Sequence, residues 1–268
     1  MRMFAWIAIN VFRESVRDKV LYNLVFFAIL LTGAAYLIGQ LTAGQDVKVI
    51  KDLGLSAVSV FGLFIAVFIG IGLVSKEVER RSIYGLLAKP IDRYHIVLGK
   101  YAGLLLTLAV NLAIMAAALY VVLAYTAWQF PPEFARSWDA PALDPRLLQA
   151  VALIFVELSV ITAIALFFST FSTPMLSAAL TFGLFVAGHF SADLRNFDQV
   201  VESPAAARLA RGLYWVLPNL ATFDVKTQVV HGQPVSAGYM ALAVAYGAVY
   251  IGLLICGALL IFSRRDFK

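Results

Sequence analysis

The charged side chains of this 268-residue chain are spaced so widely that most of the sequence has no means of facing water. No Asp, Glu, Lys or Arg occurs between Lys19 and Asp46, from Leu53 to Ser75, or from Tyr101 to Trp128. About 20 apolar residues make an α-helix as long as the hydrocarbon core of a bilayer is thick, and a helix satisfies its own backbone groups where no water is available. Six segments fit this description, at about 20–41, 53–75, 101–128, 147–171, 175–190 and 236–262. The fourth holds a single charge, Glu157, and Pro174 separates it from the fifth. Only 14% of the residues are charged, against about 25% in a soluble domain, too few to cover a soluble surface. The expected fold is all-α and polytopic, with six transmembrane helices in one transmembrane domain over residues 1–268.

The net charge of +5 would suit a nucleic-acid partner as well as a membrane protein, so its distribution decides. Six spans put both termini on one side. That side carries thirteen of the 21 basic residues, six of them between Lys76 and Lys100, and six of the 16 acidic ones. The other side carries eight basic and nine acidic residues, with Glu157 left in the membrane. Basic residues accumulate in cytoplasmic loops, so both termini are expected in the cytoplasm. Nucleic acid is not expected as a partner.

Residues 8–18 place Asn10, Arg13, Glu14, Arg17 and Asp18 on one helical face and Ala8, Val11, Phe12 and Val16 on the other, the pattern of an amphipathic interfacial helix. This charged start has no long apolar stretch and no small-residue cleavage site, so it is expected to be retained. The loop 193–235 is too long for a simple turn. Ser203-Pro204 is a good helix start, and Tyr214 and Trp215 suit anchors at the outer interface. The prolines between the third and fourth spans, from Pro131 to Pro145, indicate an extended outer loop. Gly99-x-x-x-Gly103 and Ala248-x-x-x-Gly252-x-x-x-Cys256 offer small faces for close helix packing.

The segment 76–100 joins a charged stretch to a hard stop at Pro90, after which Asp92 can cap a new helix. It suits a docking element as well as a plain solvated loop. Glu79-Arg80-Arg81-Ser82-Ile83-Tyr84, Leu86-Leu87-Ala88-Lys89-Pro90-Ile91-Asp92-Arg93 and Leu98-Gly99-Lys100 resemble the first cytoplasmic loop of type-2 ATP-binding-cassette exporter permeases. The likeness is to the branch containing the gliding-motility permeases and the permease of nitrous oxide reductase maturation. In outline it covers the whole chain. The resemblance implies a transport subunit of the bacterial cytoplasmic (inner) membrane, paired as a homodimer and docked on a cytoplasmic ATPase through a coupling loop at 76–100. It also implies that Glu77, Glu79, Arg80, Arg81, Pro90, Asp92 and Arg93 form the contact. The sequence has no Gly-x-x-x-x-Gly-Lys-Ser/Thr motif, so ATP and magnesium are expected on the separate ATPase and this chain is expected to hold no cofactor. A mechanotransmitting anchor that passes ATPase work to a periplasmic partner is the alternative.

Glu157 falls about ten residues into the fourth span, where a charge costs about 2.5–3.5 kcal/mol on insertion scales. Protonation, a hydrated cavity or a polar partner such as Asn111 would offset that cost. Glu157 and Asn111 are therefore candidates for a translocation path, with helix packing as the other reading. His95, His189 and His231 lie in separate regions without neighbouring ligands at metal spacing, and no nucleophile–base set stands out, so neither a metal site nor catalysis is expected.

Overall fold

A computed structural model describes residues 2–41, 45–79, 93–130, 140–191, 212, 214 and 217–264. The elements are α1 (Arg2–Val16), α2 (Lys19–Gly39), α3 (Asp46–Glu79), α4 (Arg93–Gln129), α5 (Leu147–Ser169), α6 (Pro174–His189), a 3-10 turn (Leu220–Phe223), α7 (Lys226–Val230) and α8 (Ala237–Arg264). The described residues form no strand, as a chain spanning lipid as helices requires. Among the described residues five helices are long and apolar enough to cross a membrane: α2, α3, α4, α5 and α8. The sixth, α6, is apolar but has 16 residues, about 24 Å at 1.5 Å per residue.

Helix α3 opens seven residues before the apolar segment that marks it in the sequence, and it carries Lys48, Lys51 and Asp52 in its first turns. Lys51 is fully buried. Its Nζ donates to the Pro141 carbonyl at 2.7 Å, so the ammonium ties α3 to the connection between α4 and α5. In the same connection Asp144 accepts from the Arg146 N–H at 2.9 Å, and its carbonyl accepts from the Tyr120 hydroxyl at 3.0 Å. Residues 131–139 lie outside the described residues.

At the other end of the bundle, α3 continues to Glu79 and α4 resumes at Arg93. With 34 and 37 residues these are the longest elements, about 51 and 55 Å, against a hydrocarbon core of about 30 Å. Part of the excess of α3 lies at the end that carries Lys48, Lys51 and Asp52; on the side that also holds the termini, called here the loop face, residues 73–79 of α3 and 93–96 of α4 lie beyond the apolar stretches Asp46–Gly72 and Val97–Gln129, about 10 and 6 Å.

Asp18 caps α2 by accepting from the Val20 N–H at 3.0 Å. The polar and apolar faces of α1 lie as the sequence predicts, with Val11 buried and Arg13 and Glu14 exposed. The apolar face sits on α4 rather than on lipid alone, because Gly103 permits it: a Cβ there would come within 2.6 Å of the Ala8 carbonyl oxygen and 2.7 Å of Val11. The core lies between α3, α4 and α5, and α5 is buried along nearly its whole length. Helices α2 and α8 are peripheral and mostly exposed. The second small face lies open: Gly252 has no atom within 4 Å of an added Cβ, and Cys256 is exposed.

Candidate functional site

The turn at residues 170–173 folds α6 back along α5, with Pro174 as the first residue of the new helix. Twelve residues up α5 from Ser169 and fifteen up α6 from Pro174, the hairpin brings Glu157 and His189 to one level. Glu157 is 2% exposed, and His189 Nε2 stands 3.4 Å from its Oε1. That separation is within ion-pair reach, but its geometry is not that of a hydrogen bond, so Oε1 accepts no hydrogen bond among the described residues. The other ring nitrogen of His189, Nδ1, lies 3.2 Å from the Phe185 carbonyl and donates to it when protonated, which leaves Nε2 facing the carboxyl.

Above this pair sits a cap formed by residues 217–235. Its apolar side chains Leu220, Phe223, Val225, Val229 and Val230 are all buried, so the segment enters the bundle instead of lying over it. Two glycines make room for it. A Cβ on Gly188 would fall 2.8 Å from both Leu220 Cγ and the Pro218 carbonyl oxygen, and one on Gly247 would fall 2.7 Å from Val156 and 3.4 Å from the Phe223 ring. Helix α7 of the cap ends at Val230, and two residues on Gly232 has a left-handed φ of 68°. The Gly232 N–H bonds the Val229 carbonyl and the Gln233 N–H bonds the Gln228 carbonyl, a glycine-dependent helix stop. Arg146 donates to the Gly232 carbonyl and fastens this end to the α4–α5 connection.

The cap brings an Asp224–Lys226 ion pair, at 3.7 Å, into electrostatic reach of Glu157. It also packs against α3, the helix whose far end reaches the loop face. The site is thus a buried carboxyl beside an imidazole, able to bind or release one proton, under a lid carrying one charge of each sign. Covering it with apolar side chains keeps water from the carboxyl, which raises the strength of every charge interaction there.

Asn111 is not the partner of Glu157. Its Nδ2 donates to the Thr107 carbonyl at 2.7 Å within α4, and Thr107 in turn donates to the Gly103 carbonyl at 3.0 Å. Ser159, Thr162 and Thr181 likewise bond carbonyls one turn back. These side chains give one donor each to their own helix. Sequence separation hid His189, which stands 32 residues from Glu157; the signal available was the Ser-Thr-Pro turn, which sets two spans antiparallel.

Among the other residues singled out by the sequence, Glu77 and Glu79 belong to the last turns of α3, and Arg93 opens α4. Arg80, Arg81, Pro90 and Asp92 lie outside the described residues, as do Trp215 and Ser203 to Arg211. Tyr214 is half-buried and lines a cleft beside the cap. Among the described residues no group of three or more His, Cys, Asp or Glu is placed to hold a metal ion.

No curated protein matches the chain. A family match does, and it runs from residue 5 to residue 267, taking in α1, all the apolar helices and the cap. With its all-helical membrane architecture, the chain belongs to the ABC-2 family transporter proteins and is a membrane permease subunit of an ABC transporter.

Proposed function

We propose that the chain is the permease of an ATP-driven exporter of the bacterial inner membrane, working as a homodimer on cytoplasmic ATPase subunits that hold ATP and magnesium. The carrying observation is the family match over nearly the whole chain, joined to the continuation of α3 from the end of its apolar stretch at Gly72 to Glu79, about 10 Å, and of α4 from Arg93 to the start of its apolar stretch at Val97, about 6 Å, on the loop face. Both termini and the loop face are then cytoplasmic. The segment 76–100 is the coupling element, and Glu77, Glu79, Arg80, Arg81, Pro90, Asp92 and Arg93 meet the ATPase. The open small face of Ala248, Gly252 and Cys256 on the lightly buried α8 supports pairing with a second chain.

Helix α3 connects the two ends of this mechanism. Force applied at its cytoplasmic end is carried by a continuous helix to the element it packs against on the other side, the cap. Raising the cap opens Glu157 and His189 to the outer side; lowering it seals them. Such two-state displacement of a rigid element is a common form of domain switching.

Mechanotransmission to a periplasmic partner is a second reading, and one observation favours it: the core hydroxyls of Thr107, Ser159, Thr162 and Thr181 donate to carbonyls of their own helices. Glu157→Gln separates the two. It keeps shape while removing charge, so an exporter loses transport, whereas an anchor keeps its ATPase stimulation and its partner. The ATPase assignment is tested by co-purification from mild detergent. Reversing the charges of Arg80 and Arg81 together with Pro90→Ala is expected to abolish association; intact association and ATPase stimulation would refute the coupling role.

A further inference from the structure

Between Glu157 and His189 there is a place for one proton. With the Nδ1–H of His189 given to the Phe185 carbonyl, Nε2 is the ring nitrogen left toward Glu157 Oε1, 3.4 Å away. A proton in that gap can sit on either atom. On oxygen it makes a neutral acid beside a neutral imidazole; on nitrogen it makes a carboxylate beside an imidazolium. Both forms have zero net charge. Taking the proton away leaves a carboxylate that is 2% exposed beside an uncharged ring, and a charge held from water without a counter-charge is costly. The imidazole is 27% exposed, so His189 is the side of the pair on which protons are exchanged.

Every element packed on this part of α5 bears on that balance. The cap contributes Asp224 and Lys226, an ion pair of zero net charge. Helix α4 contributes the Tyr101 hydroxyl, which is given to the Ser159 carbonyl at 2.9 Å. Where α8 meets α5, at Gly247 and Val156, its titratable groups are the phenols of Tyr246 and Tyr250. Helix α3 carries charges only in its first and last turns. Asp193, Arg195, Asp198, Glu202, Arg208 and Arg211 lie outside the described residues, and variants of the pair itself hold their influence constant.

We propose that the closed cap holds one proton between Glu157 and His189 and that raising the cap releases it to water, so that cap opening responds to pH. This rests on the reading of the cap as a lid and names the ligand that the lid controls. In water a Glu carboxyl changes charge near pH 4.3 and an imidazole near pH 6.5. Between about 4.3 and 6.5 the opened pair also carries one proton, so opening is indifferent to pH. Above about 6.5 the opened pair carries none while the closed pair keeps its own, and opening is favoured by up to about tenfold per pH unit. Without the imidazole, the closed carboxyl must itself be protonated, and the rise starts near pH 4.3. Without the carboxyl, the closed site has no negative charge to neutralise, and the rise disappears.

The test follows labelling of Val229→Cys, buried in α7, in the full-length chain with Cys256→Ser, in mild detergent with a water-soluble maleimide from about pH 5 to about pH 8.5. Each rate is divided by that of Gln228→Cys, exposed on the same helix, which removes the ionisation of the thiol from the ratio. The ratio is expected to be flat below about pH 6.5 and to climb above it. With His189→Gln it is expected to climb from the lowest pH, and with Glu157→Gln not to climb at all. His231→Gln, which removes the exposed imidazole of the cap, is expected to keep the unsubstituted profile. Labelling at a ratio that is flat throughout would overturn the proton and leave the lid standing, as would a climb that survives Glu157→Gln or vanishes with His231→Gln. No labelling of Val229→Cys at any pH would overturn the lid and this inference with it.

Discussion

Adding one methyl group at Gly188 tests whether the cap is a separable lid. The added carbon would stand 2.8 Å from Leu220 Cγ and 2.8 Å from the Pro218 carbonyl oxygen, and the second of these is backbone, which cannot rotate away. Overpacking of this kind costs about 1–3 kcal/mol. Both strained contacts belong to the cap, so opening the cap relieves them, and the strain appears as a shift in the closed–open equilibrium. At 1.4 kcal/mol per decade, the open population rises about 5- to 150-fold. Val229, fully buried in α7, is the reporter: a Val229→Cys chain, with the exposed Cys256 changed to Ser, is labelled with a membrane-impermeant maleimide. Gly183→Ala on the same helix is the control, since nothing lies within 4 Å of its added carbon and the change should steady the helix. Labelling of Gly188→Ala no faster than that of Gly183→Ala would mean that the cap is an integral part of the core, and the lid mechanism would be refuted.

Other expectations follow from single contacts. Lys51→Met keeps the buried stem but leaves the Pro141 carbonyl unpaired, and should cost about 1–3 kcal/mol, read as a lower melting temperature in detergent. Gly103→Ala places carbon against the Ala8 carbonyl and should release α1 from α4, measured as faster proteolysis of the N-terminal 16 residues; unchanged cleavage would mean that α1 is held by lipid instead. A double-mutant cycle of Glu157→Gln with His189→Gln should give a coupling energy of about 0.5–3 kcal/mol in thermal stability, whereas additivity would show that the 3.4 Å approach carries no energy.

The spans were legible because lipid imposes a rule that acts on each segment by itself: an interval without charges must be a helix. The same rule misplaced the start of α3. Counting charges excludes Lys48, Lys51 and Asp52 from the span, yet the helix includes them, since the carbonyl that takes up the Lys51 charge comes from Pro141, 90 residues away. The Glu157 site was half legible. A carboxyl inside an apolar run announces itself, but its imidazole neighbour depends on how two spans fold together. The cap was missed for a different reason. Leu220, Phe223, Val225, Val229 and Val230 are too few and too closely spaced to form a span, and the stronger Ser-Pro helix signal drew attention to residues 203–213. Pro218 and Gly232, which bound the apolar cluster, were the available clue.

The brevity of α6 has a consequence for the surrounding membrane. At about 24 Å it is some 6 Å shorter than an average hydrocarbon core, and Met175, Leu176, Leu180 and Val186 on its surface are exposed. The cap makes up the deficit on the protein side; on the lipid side a stretch this short is met by local thinning of the bilayer, by flanking side chains that reach the interface, or by pairing with another helix. The conformation in which α6 is least mismatched is then favoured in thin membranes and penalised in thick ones. Acyl-chain length is then expected to bias the subunit's resting state without a ligand.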